Sequence, residues 1–200
     1  MTKLKLCGLM RKADAEAVNA VRPDLAGMIL SPGFRRSVTA ETAAEIRRTL
    51  DRQIPAVGVF VNARIQEITA YASRCLIQLV QLHGDEDAAF IWQLRRVCTL
   101  PVIKACRIQS ADDLQKAAQS DADLVLLDSG TGTGQIFDWS LLKDFPRPYL
   151  LAGGLTPENA AAAIQALHPY GVDVSSGIET DGQKDPERIR KFAEIVRQTG

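Results

Sequence analysis

Short apolar runs alternate with amphipathic stretches from one end of this chain to the other. The apolar runs lie at residues 3–7, 24–30, 54–61, 76–82, 101–105, 124–128, 149–152 and 172–175. They are apolar on both faces, the pattern of parallel strands covered on both sides. Between them, apolar residues recur at helical spacing near 12–21, 40–51, 65–73, 87–97, 111–120, 139–143, 157–167 and 186–198. Strand starts recur about every 24 residues, the length of one strand–helix unit. Helix starts carry capping chemistry. Thr156-Pro157-Glu158 and Asp185-Pro186-Glu187 place a capping oxygen before a proline, and Thr39 and Ser110 stand where further caps are expected.

Eight strand–helix units in series predict a parallel sheet, and eight is the number that closes a barrel. The expectation is an α/β fold, a (β/α)8 TIM barrel, with residues 1–200 as one catalytic domain. The length fits, since such barrels run to about 200–250 residues in one domain. A doubly wound open sheet is the structural rival. The stretch 129–135, with glycines at 130, 132 and 134, and the segment Gly182-Gln183-Lys184 read as polar loops.

Composition removes several function classes. The formal net charge is +0, from 24 basic and 24 acidic side chains, so the basic excess of a nucleic-acid partner is lacking. No apolar run approaches the roughly 18 residues of a membrane span, and the first residues read as a strand rather than a signal peptide. The expectation is a soluble cytoplasmic protein without membrane or nucleic-acid partners. The cysteines at 7, 75, 98 and 106 form no metal-binding spacing, so no metal is expected. Cys75, Cys98 and Cys106 read as small core residues.

In a parallel barrel the active site lies at the C-terminal ends of the strands. Polar groups follow apolar runs there: Cys7-Gly8 after strand 1, His83-Gly84 after strand 4, Asp128-Ser129-Gly130 after strand 6, Gly153-Gly154 after strand 7 and Ser175-Ser176-Gly177 after strand 8. The loops after strands 7 and 8 are where barrels commonly hold a phosphate on backbone N–H groups. Gly153, Gly154, Ser175, Ser176 and Gly177 are therefore the candidate phosphate cradle. Asp128 reads either as a loop or cap charge or as a partly buried general acid. Cys7 reads either as core packing or as a base, and a thiol of pKa about 8.5 is only slightly ionised at neutral pH. His83 offers a pocket wall or a base, and Asp173 a substrate contact or a buried structural carboxylate.

Taken together, these motifs become specific. Lys5-Leu6-Cys7-Gly8-Leu9-Met10-Arg11, Val57-Gly58-Val59-Phe60-Val61-Asn62, Val80-Gln81-Leu82-His83-Gly84-Asp85-Glu86, Gly132-Thr133-Gly134-Gln135-Ile136-Phe137-Asp138-Trp139, Leu151-Ala152-Gly153-Gly154-Leu155-Thr156-Pro157-Glu158-Asn159 and Gly171-Val172-Asp173-Val174-Ser175-Ser176-Gly177-Ile178-Glu179 follow one another from first strand to last loop. The chain resembles the phosphoribosylanthranilate isomerases. The resemblance implies an Amadori rearrangement of a sugar-phosphate substrate without cofactor or metal, with Cys7 as general base and Asp128 as general acid. It also implies an arginine after strand 2 that binds the anthranilate carboxylate. Spacing from Val38 in Phe34-Arg35-Arg36-Ser37-Val38 selects Arg36, with Arg35 as competitor. The strand 2 segment lacks the aromatic residues usual in the family. An indole-glycerol-phosphate synthase would need a strand-end lysine acid, and the aminoaldose isomerase of histidine biosynthesis paired strand-end aspartates, where strand 1 here ends in Cys7. Monomer and homodimer both remain open.

Overall fold

A computed structural model describes residues 1–128 and 142–200. Eight parallel strands follow one another around a closed barrel: β1 (Lys3–Leu6), β2 (Leu25–Ile29), β3 (Ala56–Phe60), β4 (Leu79–Leu82), β5 (Val102–Arg107), β6 (Leu124–Asp128), β7 (Tyr149–Ala152) and β8 (Gly171–Val174). Closure runs through β8 and β1, which pair in register from Lys3 with Gly171 to Leu6 with Val174. The open-sheet rival is thereby excluded. Helices α1 (Lys12–Val21), α2 (Ala40–Thr49), α3 (Ile65–Ser73), α4 (Ala88–Arg95), α5 (Ala111–Ala118), α6 (Ala160–Leu167) and α7 (Pro186–Thr199) connect or follow the strands.

The period-two alternation of strands sorts side chains between two cores. Val57, Ile103, Ala105, Leu126, Leu150 and Ala152 fill the barrel interior. Residues of the opposite parity, such as Leu6, Met28, Leu82 and Leu127, pack outward against the helices. Helix α7 shows the matching pattern: Ile189, Phe192, Ala193 and Val196 recur at helical spacing and are all buried. Its start follows the sequence signal, with Asp185 accepting from the Glu187 and Arg188 backbone N–H groups. Thr39 and Ser110 cap α2 and α5 in the same way.

Several boundaries differ from expectation. Strand β4 begins at Leu79 rather than 76, because Leu76 still closes the turn after α3 on the Tyr71 carbonyl. Strand β5 runs two residues beyond 105, because Cys106 and Arg107 stay in register with Leu127 and Asp128. Helix α6 starts at Ala160 rather than 157. Asn159 accepts from the Thr156 N–H at 2.8 Å and donates to the Gly154 carbonyl at 2.9 Å, so this segment turns once before the helix. The supposed loop 182–184 belongs to a hairpin, β9 (Glu179–Thr180) and β10 (Gln183–Lys184), which pair antiparallel. Cys75 is exposed rather than in the core, at a turn with φ 53°. The glycine-rich stretch 129–135 lies outside the described residues, as does most of the helix expected at 139–143.

Candidate active site

A cavity of about 470 Å³ opens at the C-terminal end of the barrel. Its wall takes one residue or more from nearly every strand, including Cys7, Ile29, Val59, Gln81, His83, Asp128, Ala152 and Asp173. These share the inward parity of their strands, which is why they converge. Arg36 stands at one side of this cavity, and Gly153, Gly154, Ser175 and Ser176 at another. The residues singled out in the sequence are thus brought together. Gly177 lies just beyond Ser176, in the middle of a short 3-10 turn, Ser176–Ile178.

Gly177 explains how the loops after β7 and β8 meet. A Cβ on this residue would fall 1.8 Å from the Leu155 carbonyl oxygen, so only glycine allows the two backbones this approach. Gly153 and Gly154 both have positive φ, 92° and 65°, and turn the chain away from β7 toward the cavity.

Cys7 is 6% exposed, and burial pushes its thiol pKa up. The opposing influence is a lysine that the sequence reading passed over. Lys5 is completely buried inside the barrel and donates to Asp173 Oδ1 at 2.8 Å. The two residues are direct register partners on β1 and β8. The ammonium also lies close to the Cys7 thiol, and its charge pulls the thiol pKa back down. Gly27 on β2 makes room for both groups. A Cβ there would lie 2.7 Å from Cys7 Sγ and 3.3 Å from Lys5 Nζ.

Across the cavity, Asp128 Oδ2 lies 3.5 Å from His83 Nε2. Gln81 Nε2 sits 2.9 Å from His83 Nδ1. The His83 ring thus stands between the Gln81 amide and the Asp128 carboxyl. The ring fixes one side of the Asp128 carboxyl. Gln81 Oε1 is buried and has no hydrogen-bond partner among the described residues. It is an acceptor held ready at the cavity wall.

Arg36 is held by a residue to which the sequence reading assigned no role of its own. Glu179 on β9 accepts from Arg36 Nε at 2.6 Å and from Nη2 at 3.1 Å. This takes the side of the guanidinium fork and leaves its far edge, with Nη1, for an anion in the cavity. Arg35 also reaches Glu179, at 2.5 Å, but donates its Nη1 to the Gly182 carbonyl and does not line the cavity. Its side chain is 53% exposed against 19% for Arg36. Lys184, from β10, completes the cluster with contacts of 2.9 Å to Glu179 and to the Ser175 carbonyl. Burial would raise the Glu179 pKa, but hydrogen bonds from Arg36, Lys184 and Arg35 outweigh it and hold the carboxyl at about 2. Two arginines and a lysine around one carboxylate leave a positive excess, suited to an anionic ligand.

Among the described residues no cluster of three or more His, Cys, Asp or Glu side chains is arranged to hold a metal. No helix among them is long and apolar enough to cross a membrane.

The comparisons with known proteins agree with this geometry. A family model described as N-(5'phosphoribosyl)anthranilate (PRA) isomerase matches residues 4–195. An N-(5'-phosphoribosyl)anthranilate isomerase of Endomicrobium trichonymphae is 44% identical, over 98% of this chain and 99% of its own. The crystal structure of monomers made from the dimeric phosphoribosylanthranilate isomerase of Thermotoga maritima superposes with a TM-score of 0.88 at 33% identity, covering 99% of this chain and 100% of that one. A phosphoribosylanthranilate isomerase solved in complex with reduced 1-(o-carboxyphenylamino)-1-deoxyribulose 5-phosphate gives the same TM-score, identity and coverage. A family match over almost the whole length, relatives of equal extent and a shared barrel lead to one conclusion: this chain belongs to the N-(5'-phosphoribosyl)anthranilate isomerase family.

Proposed function

We propose that this chain, as one catalytic domain over residues 1–200, converts N-(5'-phosphoribosyl)anthranilate to 1-(2-carboxyphenylamino)-1-deoxyribulose 5-phosphate in tryptophan biosynthesis. Asp128 serves as general acid and Cys7 as general base. The observation that carries this reading is the meeting of four functions in one cavity: a carboxyl, a thiol, an arginine edge and the glycine–serine loops after β7 and β8. The bound compound named for the solved relative carries the matching groups, a carboxyphenyl at one end and a 5-phosphate at the other.

The substrate phosphate sits on the backbone N–H groups around Gly153, Gly154, Ser175, Ser176 and Gly177. The anthranilate carboxylate meets the free edge of Arg36. With both ends held, binding energy orients the sugar between them. Asp128 gives its proton to the furanose ring oxygen. The C1–O bond breaks and the nitrogen lone pair forms the C1=N bond of an iminium. That cation acidifies the C2 proton, which passes to Cys7 Sγ as the C–H electrons form a C1=C2 enolamine. Protonation at C1 and loss of the hydroxyl proton at C2 give the aminoketose. Gln81 Oε1 and Asp173 are placed to accept hydrogen bonds from the sugar or its amine.

The substrate is fluorescent, and the product is not expected to share that emission. Mixing the purified protein with N-(5'-phosphoribosyl)anthranilate should abolish the signal and yield the aminoketose by mass spectrometry and NMR. Unchanged fluorescence at high enzyme concentration would overturn the reading. The Thermotoga maritima relative is described as dimeric; light scattering decides between monomer and homodimer for this chain. The reading places the enzyme in the cytoplasm, where four cysteines without a disulfide are stable.

A further inference from the structure

We propose that Lys5 is a positioning residue for the reaction: its ammonium stabilises the thiolate of Cys7, and Asp173 sets how much of that charge the sulfur receives. This rests on Cys7 acting as the base, and it accounts for a buried ion pair that the proposed proton transfers do not otherwise use.

A thiol inside an apolar barrel is a poor base. Cys7 is 6% exposed, and burial opposes its ionisation. Lys5 is more deeply buried still, at 0% exposure, and a lone ammonium there would be very costly. Its presence is made possible by Asp173, 2.8 Å away, with the two residues paired in register across β1 and β8. Such a pair does little for stability on its own, since hydrophobic residues of similar volume often serve as well. The pair lies directly beneath the reacting sulfur, two residues along the same inward face of β1. Gly27 is the second geometric sign. Any larger residue on β2 would occupy the space where Cys7 Sγ and Lys5 Nζ come together.

The charges facing Cys7 divide into two sets. Lys5 from β1 and Lys184 from β10 favour the thiolate, while Asp173 from β8 opposes it. With the thiol protonated, Lys5 and Asp173 neutralise each other. With the thiolate formed, the trio carries one net negative charge. The S–H proton leaves to solvent when this form is populated, and the substrate iminium that appears close by then stabilises the negative charge. The arrangement therefore keeps the base modest in the free enzyme and strengthens it when the cation forms. When the C2 proton reaches Sγ, the trio returns to neutrality.

The test is the pH dependence of Cys7 alkylation by iodoacetamide in the folded enzyme, followed by peptide mass spectrometry. The exposed Cys75 serves as internal reference. Lys5→Met should move the alkylation midpoint upward by at least about one pH unit, roughly a tenfold slower reaction near neutral pH. Asp173→Asn keeps the lysine and removes the opposing charge, so the midpoint should move downward. Opposite displacements with Cys75 unchanged are the expected result. A role in packing alone would move neither midpoint, or move both the same way, and either outcome overturns the proposal. If Lys5→Met does not fold, as circular dichroism would show, Asp173→Asn decides alone: a lowered midpoint supports the proposal, and an unchanged or raised one overturns it. In turnover, Lys5→Met should lower kcat at least tenfold with KM nearly unchanged. Alkylation needs no turnover, so failure of the isomerase reading appears in the fluorescence assay and failure of this one in the thiol titration.

Discussion

Glu179 offers the most quantitative perturbation in the site. Replacing it with glutamine keeps the shape of the side chain but removes the charge that holds Arg36, Arg35 and Lys184 together. Its side chain is only 5% exposed, and its carboxyl is held at about 2 instead of 4.5. At about 1.36 kcal/mol per pH unit, a fall of this size corresponds to roughly 3 kcal/mol. Arg35 is half exposed, so solvent screening reduces the expected contribution to roughly 1.5–2 kcal/mol. The sign follows from the lowered folded-state pKa. The stabilisation is fully present above 4.5 and is lost as pH falls toward 2. Urea unfolding of wild type and Glu179→Gln should therefore differ by roughly 1.5–2 kcal/mol near pH 7, with the gap closing steadily as both are titrated below about pH 4. A gap that stays constant over this range, or is absent at neutral pH, would refute the electrostatic account of the cluster.

The remaining predictions concern catalysis and binding. Arg36→Ala should raise KM by about tenfold to a hundredfold, the value of a charge-assisted hydrogen bond to the carboxylate, with kcat little changed. Arg35→Ala should leave KM within about twofold by the same reasoning, and a larger rise there would move the anchor. Gly27→Ala places a Cβ 2.7 Å from Cys7 Sγ. The thiol must shift, and kcat should fall by about a hundredfold, the usual effect of a 1 Å misplacement; a kcat within about twofold of wild type would contradict the packing. Gly177→Ala collides with the Leu155 carbonyl and should separate the loops after β7 and β8, so KM for the phosphorylated substrate should rise by roughly an order of magnitude. Unchanged KM in a folded variant would remove these loops from phosphate binding.

The barrel was legible because its strands and helices are locally consistent. Runs apolar on both faces marked the strands, and Asp185-Pro186 marked the start of α7 to the residue. Errors arose where tertiary contacts decide. Thr156-Pro157 has the local chemistry of a helix start, yet Asn159 bonds back to Thr156 and Gly154 and delays α6. The hairpin of β9 and β10 has only two residues in each strand, too few for any periodicity. Its Glu179 and Lys184 gain their meaning only from Arg36, far away in the chain. Lys5 was hidden for a different reason. Lys3 and Lys5 share one face of β1 and look alike in the sequence, yet Lys3 is exposed and Lys5 buried. The strand 7 and 8 glycines could be read as a phosphate cradle from position, whereas Cys7 and Asp128 could only be listed from position and took their roles from the family resemblance.

The account stands most directly on the division of labour between Cys7 and Asp128. Steady-state turnover of N-(5'-phosphoribosyl)anthranilate by Cys7→Ser and Asp128→Asn, in variants with wild-type circular dichroism, tests it in one measurement. Each substitution should lower kcat/KM by about a thousandfold or more, the scale on which acid and base groups contribute. Turnover within about tenfold of wild type in either folded variant would contradict the assignment of that residue.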